Sequence, residues 1–228
     1  MIVLLNSPKC LAADLDEIEN YEVIVEPRMT DGTLDITYKI TWKVLDSTTE
    51  GPLKWVQIGT PNSKFDNVEA LSDNIISISK YGESYVKIIF DKEYYAGEQI
   101  TFKYKIHQSY MYKISSNKCK YSFIPAWFTD IKINKMTVKW NLDGVKFSNA
   151  KLIEDNYLVW QKTNMAKGKK MKINVRYDKD AFTYLNEQKQ NRNDIDILSV
   201  VKLNFSTVVI TIILVIISCF LGGGYYRS

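Results

Sequence analysis

The sequence predicts an all-β protein, an antiparallel immunoglobulin-like β-sandwich built as one large or two tandem domains, followed by a single transmembrane α-helix. Three observations lead there. Apolar and polar residues alternate with period two through most of the chain. Turn signals interrupt that alternation at intervals of about 8–12 residues, giving about ten to twelve short strands. Finally, Leu203 to Tyr226 carries no charged residue.

The longest alternation opens the body of the chain. Leu34, Ile36, Tyr38, Ile40, Trp42 and Val44 fall on one side, and Asp35, Thr37, Lys39, Thr41 and Lys43 on the other. One face of that strand is buried and the other wet, as in an antiparallel sheet covered on one side. Before it, Tyr21, Val23 and Val25 alternate with Glu22, Ile24 and Glu26, and Thr30-Asp31-Gly32 reads as the hairpin between them. Further strands are centred on Val86–Phe90, Ile100–Ile106, Cys119–Phe123, Met136–Trp140, Leu158–Trp160 and Met171–Tyr177, with turns at Ala96-Gly97-Glu98 and Asp143-Gly144. No amphipathic helix of useful length precedes residue 180. A boundary near Ser115-Ser116-Asn117 divides the body into residues 14–115, a β-sandwich domain, and 116–179, a second β subdomain or the completion of the first. Residues 180–202 turn polar and read as a stalk.

Residues 203–226 read as the membrane span. A bilayer core of about 30 Å needs roughly 20 apolar residues in a helix, and the β-branched run Val208 to Ile213 is helical in lipid because the backbone has no other way to satisfy its hydrogen bonds. Residues 1–13 read as a signal-peptide remnant, with small residues at Ala12 and Ala13 followed by acidic ones. This sets the expected localisation: cell membrane, β domain extracytoplasmic, short C-terminal tail cytoplasmic. Lys189, Arg192 and Lys202 before the span against Arg227 after it pull the opposite way under the positive-inside tendency.

Composition and motifs bound the chemistry. A formal charge of +4 on 228 residues offers no strong field for nucleic acid. Three cysteines, Cys10, Cys119 and Cys219, leave only Cys119 inside the β body, so no disulfide forms there. One histidine, His107, excludes a multi-histidine zinc centre, and neither a P-loop, a dinucleotide glycine motif, an HExxH nor a GxSxG elbow is present. No cofactor, metal or catalytic residue is expected. The carboxylate pairs Asp14/Asp16, Asp91/Glu93 and Glu154/Asp155 leave a surface hydrolase as a remote alternative. Lysines 162, 167, 169, 170 and 172 surround Gly168, as a charge-protected hairpin tip and edge strand or a patch for anionic lipid or cell-wall polymer.

The most distinctive segment is YSFIPAWFTD, Tyr121 to Asp130, with Tyr110-Met111-Tyr112 shortly before it. Pro125 ends a strand there, and consecutive aromatics cannot all face one core. Tyr110, Tyr112, Trp127 and Phe128 are therefore the candidate binding residues for a protein or glycan ligand; alternatively they plug the junction between sheets. The expected partners are the lipid bilayer, through residues 203–226, and that ligand.

The opening pair YEVIVEPRMTDGTLDITYKITW (Tyr21 to Trp42) and the end FLGGGYYRS (Phe220 to Ser228) resemble those of bacterial predicted membrane proteins of unknown function, which have a signal peptide, an extracytoplasmic β-sandwich, C-terminal span and Gly-rich juxtamembrane tail. The resemblance implies a non-enzymatic surface protein for recognition or envelope assembly and carries over no catalytic residues. An accessory subunit of a membrane complex, associating through its span near Gly222-Gly223-Gly224, is the alternative role.

Overall fold

A computed structural model describes residues 14–126 and 128–185. The signal-peptide remnant, Trp127, most of the stalk and the span at 203–226 lie outside the described residues. Among those described, no helix is long and apolar enough to cross a membrane.

The described residues form fourteen strands in order: β1 (Asp16–Pro27), β2 (Leu34–Val44), β3 (Leu53–Gly59), β4 (Phe65–Ala70), β5 (Ile75–Tyr81), β6 (Tyr85–Tyr94), β7 (Gln99–Gln108), β8 (Tyr112–Ser115), β9 (Lys118–Phe123), β10 (Lys132–Asn141), β11 (Val145–Ser148), β12 (Leu152–Glu154), β13 (Tyr157–Met165) and β14 (Ile173–Asp178). They form a seven-stranded sheet ordered β12-β13-β10-β1-β2-β7-β4, a four-stranded sheet β11-β14-β9-β8, and a three-stranded sheet β3-β6-β5. The all-β expectation holds for these residues, with sheets packed face to face.

The large sheet buries one face. Val25 pairs with both Trp140 and Ile36, and Ile36 with Ile106; Tyr21 pairs with Ile40, and Ile40 with Phe102. Side chains directly opposite share a face, so these residues form one apolar surface across four strands, each at most 2 % exposed. Both smaller sheets cover it. The four-stranded sheet packs through Tyr121 against Trp140 (5.2 Å between rings), and the Trp140 indole N–H donates to the Tyr177 hydroxyl at 2.7 Å. The three-stranded sheet packs through Phe90 against Phe102 (5.1 Å).

Two expectations need correction. The sheet is not purely antiparallel, because β1 pairs in parallel with β10 over Glu17 to Val25. The boundary expected near Ser115-Ser116-Asn117 is instead the turn of the β8–β9 hairpin, where Ser115 pairs with Lys118 and Ser116 adopts φ +55°. Since β10 lies beyond that turn and pairs with β1, the strands on both sides of it share one sheet.

The turns read from the sequence do form. Gly32 N–H donates to Arg28 C=O at 2.9 Å while the Asp31 carboxylate accepts from the Thr33 N–H and hydroxyl. Gly97 and Gly144 have φ of +90° and +73°, which a glycine adopts without the Cβ penalty.

Candidate functional site: an aromatic face on the three-stranded sheet

The three described residues of the four expected to bind a ligand are not gathered on the surface. Tyr112 and Phe128 are buried, at 6 % and 9 % exposure. The Phe128 ring meets Tyr21 and Trp42 edge-on at 5.8 and 5.7 Å, and Tyr112 packs on Tyr121 with its hydroxyl donating to Asp31 C=O. Tyr110 is exposed at φ +58°, held through its carbonyl by the Asn62 amide. Trp127 lies outside the described residues. Thus the segment after β9 brings Phe128 onto the large sheet's buried face, which is the junction-plugging alternative for that residue.

Exposed aromatics gather elsewhere. In β3 and β6 the residues Val56, Ile58, Val86, Ile88 and Phe90 face inward. Alternation then sends Trp55, Gln57, Tyr85, Lys87 and Ile89 outward. Register aligns the outward residues in rows: Trp55, Ile89 and Ser77; then Gln57, Lys87 and Ser79; then Gly59, Tyr85 and Tyr81. Trp55, Tyr81 and Tyr85 are each about half exposed (49 %, 48 % and 48 %). Gly59 leaves room beside Tyr85, whose ring edge lies 3.9 Å from where a Cβ would stand.

Lys87 sits at the centre of this face. Its ammonium is 4.9 Å from the Trp55 ring centroid and 5.7 Å from that of Tyr81, so one cation contacts two rings on opposite neighbouring strands. On β3 and β6, Lys54 pairs with Glu93 at 3.2 Å and Lys92 with Glu98 at 2.9 Å. Among the described residues Lys87 forms no such ion pair.

The remaining candidates are engaged in structure. His107 Nδ1 lies 2.9 Å from Asp35, which Arg28 and Lys105 also hold at 3.2 and 3.3 Å. Burial pushes the Asp35 carboxyl up, but the bonds from His107, Arg28 and Lys105 outweigh it and hold it below its ordinary range. Asp91 accepts from the Tyr94 hydroxyl, Asp14 pairs with Lys167 at 2.6 Å, and Glu154 and Asp155 belong to the β12–β13 hairpin. Burial pushes the Cys119 thiol up to about 12, so it remains a protonated core residue. Among the described residues no three His, Cys, Asp or Glu side chains gather where they could hold a metal ion. A cleft at the β3 edge is lined by Asp16, Trp42, Glu50 and Trp55, and burial raises the Asp16 carboxyl. Its neighbouring acid, Asp46, is satisfied by Thr48 and Thr49 within its own loop.

The signal for the aromatic face was present in the sequence. Trp55 and Gln57 alternate with Val56 and Ile58, and Tyr81 and Tyr85 bracket the turn at Gly82. Bulges at Leu53/Trp55 and Ile75/Ser77 shorten the visible alternation, so neither β3 nor β5 stood out.

No protein-family model and no curated protein matches the chain. Among solved structures it is similar to an M1 zinc metallopeptidase from Deinococcus radiodurans, at 8 % identity and a TM-score of 0.42, over 71 % of this chain and 42 % of that one. A mutant of that peptidase bound to a Tyr-Ser-Ala substrate gives 7 % identity, the same TM-score and the same coverage. The chain thus spans less than half the length of these peptidases, and a likeness at this level carries no functional argument.

Proposed function

We propose that the chain is a non-enzymatic, membrane-anchored surface protein whose β-sandwich lies outside the membrane and recognises a partner through the outer face of β3, β6 and β5. The observation that carries this reading is the placement of Trp55, Tyr81 and Tyr85, half-exposed, on one side of one small sheet. Large aromatic rings kept in water forgo the stabilisation that burial gives, of about 25 cal/mol per Å² of apolar surface. Rigid rings with few torsions to freeze are also efficient contact groups. The anchor rests on the charge-free stretch Leu203 to Tyr226, and the extracytoplasmic placement on the leader-like start.

Two experiments test it. Protease added to intact cells carrying a tag after Ser228 should remove the β domain and spare the tag; a protected domain overturns the placement. Full-length protein carrying Trp55→Ala and Tyr85→Ala should keep its far-ultraviolet circular dichroism and lose partner capture from the cell envelope. Capture equal to that of the unaltered protein overturns the assignment of this face.

A further inference from the structure

We infer that the ligand of this face is an acidic sugar polymer, a chain of pyranose rings bearing carboxylates. The inference rests on the recognition reading above and specifies its chemistry.

The first argument is the kind of surface. Its three rings are carried on one sheet face, Trp55 in one outer row and the Tyr85–Tyr81 pair in the other, with the polar row Gln57, Lys87 and Ser79 between them and Ile89 the one aliphatic residue in the three rows. The core of a protein–protein contact is depleted in charge and dense in apolar side chains, whereas here an amide, an ammonium and a hydroxyl lie in the row between Trp55 and the tyrosine pair. A sugar ring has the matching character. One face presents C–H groups, which meet the negative π face of an aromatic ring, and the rim presents hydroxyls, which pair with amides and serines.

The second argument is charge. Lys87 lies between Trp55 and Tyr81 and lacks a carboxylate partner among the described residues. The Trp55 and Tyr81 rings hold that ammonium between them. A carboxylate carried by the ligand completes the ion pair there.

Full-length protein in detergent, run in gels containing polygalacturonate, should be retarded, and dextran, a neutral sugar polymer, should retard it at least roughly tenfold less. Poly(glycerol phosphate), which has charge but no sugar ring, should also be the weaker ligand. Trp55→Ala should abolish retardation by polygalacturonate, and Lys87→Met should remove the preference for it over dextran. Equal retardation by dextran, or an unchanged preference in Lys87→Met, overturns the acidic assignment. Equal binding to poly(glycerol phosphate) shows simple charge attraction and overturns the role of the rings. If no polysaccharide retards the protein yet Trp55→Ala and Tyr85→Ala abolish envelope capture, the ligand is of another class: this inference fails and the recognition reading stands. If capture also survives the double substitution, both fail.

Discussion

Gly32 has a φ of +74°, and a Cβ added to it would stand 2.8 Å from Tyr112 Cε1 and 3.0 Å from the Tyr121 hydroxyl. That hydroxyl donates to Gly32 C=O at 2.7 Å, so the β1–β2 hairpin is tied to the four-stranded sheet at a position whose backbone and surroundings favour glycine. Gly32→Ala should therefore cost about 2 kcal/mol, from left-handed backbone strain and the ring displacement together; a melting temperature unchanged from the unaltered protein would contradict this. Glu17 gives a second residue-scale prediction. The Lys132 bond at 2.7 Å comes first; against the opposing effect of burial, Lys43 and Asn134 add to it, and the carboxyl falls from 4.5 to about 2. Because the folded value is the lower one, this contribution is fully present above pH 4.5 and is lost as pH falls from 4.5 towards 2. Glu17→Gln should flatten the acid limb of the stability curve in that window, as read by melting temperature against pH, and change its shape little near neutrality.

At the scale of elements, the stretch from Phe123 to Lys132 crosses from β9 to β10 and places Phe128 against Tyr21 and Trp42. Phe128→Ala should cost about 3 kcal/mol through the cavity it leaves. Trp55→Ala, at a half-exposed position, should cost far less, and the melting temperatures of the two variants read the contrast. Uninterrupted strands were legible in the sequence: β2 and β7 pair over ten positions without a bulge, and their alternation runs unbroken. Bulges hid others. In β4 the pairing slips between Asp66 and Glu69, and in β5 between Ile75 and Ser77, so the apolar residues fall out of step with a period of two. The aromatic segment drew attention because its rings are consecutive, but sequence spacing could not show that Phe128 would turn inward.

Across the whole of the described residues, burial on one face of a large sheet was readable from local pattern, and its partner strands were not. Alternation states which side chains share a face; it does not say that β10 rather than a neighbour in sequence lies beside β1. Nor does it reveal that the cover is divided between two small sheets, since each strand in them looks like any other half-buried strand. This arrangement predicts a gradient of protection. Amides of β1 and β2, central in the seven-stranded sheet, should exchange slowest, and those of β12 and β4 at its edges fastest. Hydrogen exchange resolved by peptide reads this directly, and slow exchange at β12 would contradict the strand order.

The parallel pairing of β1 with β10 also has a consequence in time. The Asn134 amide reaches back across 117 residues to Glu17, and no shorter connection brings the first strand its second neighbour. A chain emerging N-terminus first can form the β1–β2 hairpin at once, yet one edge of β1 stays open until β10 has followed it. Closing so distant a pair carries a large loop entropy, and proteins dominated by such contacts fold on the millisecond-to-second scale. During that interval the strand bearing Tyr21, Val23 and Val25 offers an unpaired edge to any other chain nearby. Refolding yield should accordingly fall as protein concentration rises, even where the finished molecule is stable.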